Sequence, residues 1–155
     1  ELGYNFRMTN MQAAIGLAQL EKIDDTMLKK RWIGKKYTEL LADLQEFIIL
    51  PVEKTEYAMN IYWVYGILLT EKVKVNAEVI MRKLAERGIG TRGFFYPLHK
   101  QPVFIKQNLY ITEKYPNAEY LADKGFYLPS GLTLNEEQIL YVAETLREVL
   151  LEVNC

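Results

Sequence analysis

Apolar positions recur at helical spacing through the first third of the chain. From residue 11 to residue 44 they follow the helical period, which predicts one long helix or two helices with a bend near Asp24 and Asp25. Thr9 followed by Gln12 fits a capping box, so we expect the helix to begin there. The positions that define this pattern are Met11, Ala14, Ile15, Ala18, Met27, Leu28, Trp32, Ile33, Tyr37, Leu40, Leu41 and Leu44.

The remainder of the chain alternates between strand and helix patterns. We expect strands over residues 60–70 and 89–96, a brief strand or turn over residues 126–131, and helices over residues 76–87, 117–124 and 135–151. Asn76 is the expected N-cap of its helix, and Gly88 stands where a left-handed residue would end it. The pattern predicts a small mixed α/β domain in which a few strands pack on helices, preceded by a long connecting helix.

Small residues occupy one side of the first predicted helix. Gly16 inside a helix costs about 1 kcal/mol relative to alanine. Its neighbours Ala13, Ala14 and Ala18 are also small, which indicates that another backbone passes close to this side. We call these four residues the small-residue face and predict that it forms an interface.

Composition narrows the function classes. Half of the 155 residues are hydrophobic, and the net charge is -1, which gives no general attraction for nucleic acid or an anionic membrane. Cys155 and His99 are the only residues of their types, which argues against a disulfide framework and a zinc site and agrees with a cytoplasmic location. The longest apolar run is far shorter than the roughly 20 residues of a membrane helix. The chain begins with Glu1 and no recognisable targeting peptide, so we expect an excerpt from a longer protein.

The segment GIGTRG, residues 88–93, has the glycine spacing of a dinucleotide-binding loop. That motif requires a strand before the glycines and a helix after them, so that the phosphate meets a helix N-terminus. Here the predicted order is helix, glycines, strand. The spacing is therefore better explained by a helix cap at Gly88 and by bends or close approaches at Gly90 and Gly93.

Two other stretches concentrate polar and aromatic side chains. Residues 91–104 hold the only histidine together with aromatics and prolines, as a stiff binding loop would. Local chemistry favours the simpler interpretation, in which Phe94 or Phe95 belongs to the core and His99 is a surface turn residue. Near the N-terminus, Asn5 and Arg7 are either capping groups of the first helix or donors to a phosphate.

Three segments together resemble one protein family. GYNFRMTNMQAAIGLAQLEKID, GIGTRGFFYPLHKQPVF and AEYLADKGFYLPSGLTLNEEQI are similar to segments of the DegT/StrS nucleotide-sugar aminotransferases, which are fold type I pyridoxal-phosphate enzymes. They occur in the family's order and at about its separation. The resemblance covers the chain from end to end but only the C-terminal part of such an enzyme.

The resemblance implies a division of the chain. Residues 1–45 would be the end of the large domain and the interdomain helix with a dimer-interface segment, and residues 46–155 would be the small C-terminal domain with a mainly antiparallel sheet. The lysine that forms a Schiff base with the cofactor would lie in a preceding domain absent from this chain. No catalytic residue and no metal ligand is therefore expected here, and this part alone is expected to be inactive.

The resemblance also implies site residues. Asn5 matches a residue that reaches across a homodimer interface to the cofactor phosphate of the partner subunit, and Arg7 matches the basic residue beside it. Phe95, Tyr96 and His99 match a loop that lines the sugar-nucleotide side of the pocket. Bulkier residues often stand at the position of Gly93.

The implied reaction moves an amino group from glutamate, through pyridoxal 5'-phosphate, to a keto group of a nucleotide-linked deoxysugar used in surface polysaccharide or glycoside biosynthesis. Residues 60–69 especially resemble perosamine-synthase types, which act on a GDP-linked 4-keto-6-deoxy sugar. Three alternatives stay open. The first is that the parent protein is a dehydratase of the same family, in which histidine replaces the lysine. The second is a non-catalytic binding or regulatory module, and the third is an interaction subunit that has lost activity.

Overall fold

The computed structural model describes residues 3–4, 6–110 and 112–154. The α-helices in these residues are α1 (Asn10–Leu20), α2 (Ile23–Leu40), α3 (Ala77–Glu86), α4 (Pro102–Lys106), α5 (Pro116–Lys124) and α6 (Glu136–Asn154). The strands are β1 (Ile48–Ile49), β2 (Tyr65–Leu69), β3 (Arg92–Gly93) and β4 (Gly125–Leu128). Short 3-10 turns cover Ala42–Leu44 and Leu98–Lys100.

The four strands form one antiparallel sheet in the order β1-β2-β4-β3. Ile48 pairs with Leu69, and Ile67 pairs with Phe126, so β2 lies inside the sheet. Arg92 pairs with Tyr127 at the other edge. The expected small, mainly antiparallel sheet packed on helices is confirmed.

The core lies where α2, α3 and α6 pack against the sheet. Helix α6 faces this core with one apolar stripe, because Ile139, Val142, Leu146 and Val149 are all buried. The buried hydroxyl of Tyr37 in α2 donates to the carbonyl oxygen of Pro129 at 2.9 Å. The other fully buried large side chains of the core include Ile33, Leu41, Ile48, Tyr65, Ile67, Leu69, Ile80, Leu84 and Phe126.

The helix boundaries follow the local signals in the sequence. The Thr9 and Gln12 capping box is formed, with the Thr9 amide donating to Gln12 Oε1 at 2.9 Å. Asn76 accepts from the Val79 amide and caps α3, and Gly88 has a φ of 75°. Of the two predicted possibilities, one long helix or two with a bend, the chain forms two helices, α1 and α2, which separate just before the expected bend.

The strand predicted over residues 60–70 is shorter, because the chain turns away from the sheet at Tyr62. This residue has a φ of 51° and is buried against α2. Its ring lies so close to Gly34 that a Cβ there would be 2.3 Å from Tyr62 Cγ. Within β2, Tyr65, Ile67 and Leu69 are buried while the two residues between them are half-buried, so both faces of the strand are covered.

The strand predicted over residues 89–96 was also too long. Only Arg92 and Gly93 form β3, and one further amide, that of Phe94, donates to the carbonyl oxygen of Gly125 at 3.1 Å. The chain then runs into Pro97, which has no amide to donate to a neighbouring strand. Between residues 97 and 116, where no helix or strand was predicted, the chain forms α4, which begins with Pro102 in the position that proline favours in a helix.

Candidate functional site

Helix α1 lies on the surface of the chain. None of its described residues is buried, and Met11, Ile15 and Leu20 are 74%, 62% and 64% exposed. A Cβ added at Gly16 would meet nothing within 4 Å among the described residues. The small-residue face and its apolar neighbours are thus open, and the interface predicted here stays a prediction.

A shallow cavity of about 440 Å³ lies where the N-terminal segment meets α1. Its lining includes Phe6, Arg7, Met8, Gln12 and Gly16. The Oε1 atom of Gln12 accepts from Thr9, which leaves its amide NH2 group as a donor. Together with the guanidinium of Arg7, this cavity offers donors that suit a phosphate or carboxylate. Asn5, predicted to act beside Arg7, lies outside the described residues.

The aromatic residues of the predicted binding loop divide into two groups. Phe94 is half-buried and stacks on Tyr127 with a centroid distance of 4.7 Å, and its ring also lies over Gly66 and Gly125. Phe95 and Tyr96, in contrast, are 70% and 58% exposed. Phe94 is therefore the residue that packs on the sheet, and Phe95 and Tyr96 are presented outward.

His99 lies in the 3-10 turn after this loop, but its side chain is only 10% exposed. Its Nε2 atom is 3.0 Å from Oε1 of Glu119 in α5, and its ring is 4.9 Å from the ring of Tyr115. The other carboxylate oxygen of Glu119 is 2.8 Å from Lys100 Nζ. Hydrogen bonds from Lys100, and next from His99, hold the pKa of the Glu119 carboxyl below its usual value.

A cavity of about 380 Å³ borders His99. Leu98, Tyr110, Tyr115 and Ala118 form the rest of its described lining, so an imidazole and two phenol rings face a mainly apolar space. Tyr110 has a φ of 59°, a left-handed conformation that is unusual for a bulky residue and is found at ligand sites. Phe95 and Tyr96 are not part of the described lining.

Glu119 was not predicted as a site residue. It lies 20 positions after His99 in the sequence, and the two side chains meet only because α5 packs beside the turn. A local pattern search does not find such a pair. The one sequence signal for Glu119 is its position, after Ala118, at the start of the third segment that resembles the family.

No three His, Cys, Asp or Glu side chains in the part of the chain that the structure describes cluster closely enough to hold a metal ion. No helix among residues 3–4, 6–110 and 112–154 has the length and apolar character needed to cross a membrane. The chemistry at hand is that of an arginine, a carboxylate-bound histidine and aromatic walls.

Comparison with known structures identifies the fold. The chain aligns with a putative sugar aminotransferase of Streptococcus pneumoniae, Spr1654, in its PMP form, with a TM-score of 0.83 and 24% identity over 95% of this chain and 36% of the other. It also aligns with GDP-4-keto-6-deoxy-D-mannose-3-dehydratase of Escherichia coli, solved with hydrated PLP, with a TM-score of 0.76 and 20% identity over 93% of this chain and 36% of the other. At these identities the likeness shows the fold alone.

The comparison of sequences identifies a family, whereas the comparison of structures identifies only the fold. The chain is 36% identical over 147 residues to GDP-perosamine synthase of Escherichia coli O157:H7, an alignment that covers 95% of this chain and 38% of that relative. The chain thus spans little more than a third of the relative's length. The profile of the DegT/DnrJ/EryC1/StrS aminotransferase family matches residues 1–147. The chain therefore belongs to the DegT/DnrJ/EryC1/StrS family, whose cofactor is pyridoxal 5'-phosphate.

Proposed function

We propose that this chain is the C-terminal part of an aminotransferase that moves an amino group from glutamate to a keto group of a nucleotide-linked deoxysugar in the cytoplasm. The observation that carries the proposal is the family match over residues 1–147, together with 36% identity to GDP-perosamine synthase. A GDP-linked 4-keto-6-deoxy sugar is accordingly the candidate substrate. Residues 1–45 would connect to the large domain, and residues 46–155 would form the small domain.

The donors around the N-terminal cavity support a site for the phosphate of pyridoxal phosphate. An arginine fork matches phosphate geometry, and Arg7 and the Gln12 amide stand around an open space. Asn5 and Arg7 would hold this phosphate in the active site of the partner subunit. When bound, the cofactor supplies the electron sink for amino-group exchange, and the protein supplies orientation and proton transfer.

The loop after β3 would line the sugar side of the active site. Phe95 and Tyr96 present aromatic surface outward, which suits contact with a sugar or a base. His99 adds an imidazole nitrogen for a hydroxyl group. These residues would bind and orient the substrate, and the bond-making residue would belong to the preceding domain.

Helix α1 would pack in a homodimer with shared active sites. Its apolar side chains are exposed together, and contiguous exposed apolar surface marks interaction sites. The small-residue face would allow a close approach behind the cofactor segment.

A dehydratase of the same family is the second candidate, because the chain has the fold of the Escherichia coli dehydratase as well as that of the aminotransferase. The two activities differ in the residue that faces the cofactor, which is expected to lie before Glu1. The deciding experiment is borohydride reduction of the whole protein after pyridoxal phosphate is added, followed by peptide mapping. One labelled lysine supports the aminotransferase. Retained cofactor without a label supports the dehydratase, and no binding contradicts both.

The cofactor contact can be tested separately. We expect Asn5→Ala in the whole protein to weaken retention of pyridoxal phosphate by about tenfold, because one donor to the phosphate is lost. Equilibrium dialysis measures the retention, and circular dichroism checks that the fold is intact. Asn10→Ala in α1 is the matched control. Unchanged cofactor affinity would remove Asn5 from the site.

A further inference from the structure

Glu119 connects two basic side chains through different oxygens. Oε1 is 3.0 Å from His99 Nε2, and Oε2 is 2.8 Å from Lys100 Nζ. An ionised carboxylate only accepts hydrogen bonds, so the proton between the first pair belongs to His99. Lys100 and the first-turn position of Glu119 in α5 both favour the charged carboxylate. The contact therefore selects the form of the imidazole that is protonated at Nε2.

The second ring nitrogen of His99 is left for another partner. Among the residues that the structure describes, none makes a hydrogen bond to Nδ1. In a neutral ring protonated at Nε2, Nδ1 carries a lone pair and accepts hydrogen bonds. The ring borders the cavity with Tyr110 and Tyr115, and its centroid lies 4.9 Å from that of the Tyr115 ring. A fixed acceptor beside aromatic walls suits a hydroxyl group on an otherwise apolar ring face.

We propose that Glu119 is a positioning residue that fixes the tautomer and orientation of His99, so that Nδ1 accepts a hydrogen bond from a hydroxyl of the bound sugar. A carboxylate that holds an imidazole in one tautomer is an established device in enzyme sites. The identity of the ligand rests on the function proposed above. The fixing of His99 by Glu119 does not.

The first test uses the only histidine of the chain. In the 155-residue chain labelled with ¹⁵N-histidine, two-bond ¹⁵N–¹H spectra at alkaline pH report a single imidazole in its neutral form. We expect Nδ1 at the shift of an unprotonated nitrogen and a Hε2 proton protected from exchange. In Glu119→Gln we expect both nitrogens to move toward averaged shifts and Hε2 exchange to become about tenfold faster, because an amide can either accept from Nε2 or donate to it.

Asp123→Asn is the matched control. Asp123 lies in the same helix, is exposed, and its side chain has no hydrogen bond or ion pair to any described residue. The change removes the same charge and should leave the histidine signals unchanged. Backbone amide spectra of both variants verify the fold. A mixture of tautomers in the unmodified chain, or unchanged signals in Glu119→Gln, would overturn the proposal.

The second test measures the consequence in the whole protein. We expect Glu119→Gln to lower kcat/KM for the sugar by about tenfold and to leave the exchange with the amino donor nearly unchanged. Equal loss in both stages would overturn the role toward the sugar. If no amino group is exchanged by the unmodified protein, the proposed function fails, and the histidine spectra still decide whether Glu119 fixes His99.

Discussion

Helices α1 and α6 are both rich in apolar residues, yet only α6 is part of the core. Seven residues of α6 are buried, whereas no described residue of α1 is. The hydroxyl of Tyr141 in α6 also donates to the carbonyl oxygen of Arg87 at 3.0 Å. An apolar pattern at helical spacing therefore predicts a helix, but whether that helix is buried depends on which other elements of the chain pack against it.

The largest expected effect is the difference between α6 and α1 when a leucine is shortened in each helix. Leu146→Ala in α6 should lower the free energy of unfolding by about 2–5 kcal/mol, because Leu146 is fully buried and a cavity would remain. Leu17→Ala in α1 should change it by less than about 0.5 kcal/mol, because Leu17 is 59% exposed. Urea unfolding of the 155-residue chain measures both. Equal losses in the free energy of unfolding would show that α1 is packed as tightly as α6.

The same comparison applies to the glycines of the first two helices. Gly34→Ala in α2 places a Cβ against the Tyr62 ring and should destabilise the chain by about 1–3 kcal/mol. Gly16→Ala in α1 meets no described atom within 4 Å and should stabilise the helix by up to about 1 kcal/mol. Thermal unfolding reports the two changes.

The double change Gly34→Ala with Tyr62→Ala is the control for the clash. The ring is then absent, so the two single costs should add to more than the cost of the pair. In the whole protein Gly16→Ala should weaken self-association if the small-residue face packs on a second subunit. A whole protein that keeps its association state would contradict that interface.

Helix caps give a smaller contrast. Asn135 and Gln138 form reciprocal hydrogen bonds at the start of α6, and Asn135→Ala should lower the free energy of unfolding by about 1 kcal/mol. Thr9→Ala removes the matching cap of α1. Since α1 buries nothing, the change should reduce helix content and leave the unfolding midpoint in place. Circular dichroism at 222 nm, with and without urea, separates the two effects. A shifted midpoint for Thr9→Ala would mean that α1 contributes to the cooperative core.

The elements that the sequence predicted well have local signals. Helix α3 and the start of α6 match their predicted ranges because Asn76 and Asn135 are side-chain caps, and a cap acts within a few residues. The strands were predicted less well. Whether residues 89–96 pair as a strand depends on β4, which lies more than 30 positions away, and on the missing donor at Pro97.

The candidate site was only partly predictable for the same reason. The resemblance pointed to His99, but its carboxylate partner Glu119 depends on how α5 packs, which no local spacing encodes. The sequence left open whether Phe94 or Phe95 packs in the core. Phe94 does so because Gly66 and Gly125 have no side chains, which leaves room for its ring. Asn5 lies outside the described residues, and the interface expected on α1 stays a prediction.

The smallest expected effect concerns the link between α6 and the end of α2. Arg147 Nη2 donates to Asp43 Oδ1 and to the Leu40 carbonyl oxygen, each at 3.0 Å, and Nη1 donates to Asp43 Oδ2. The hydrogen bond from Arg147 lowers the pKa of the Asp43 carboxyl. A carboxyl whose pKa is lower in the folded state stabilises the fold above its unfolded pKa of about 3.9 and loses that effect as pH falls through the folded value.

Asp43→Asn should therefore lower Tm slightly at neutral pH, and the difference in Tm from the unmodified chain should close below about pH 3. Since the Asp43 side chain is 63% exposed, salt should also narrow the gap. A gap that is independent of both pH and salt would mean that the side chain of Asp43 acts by packing and not by its charge.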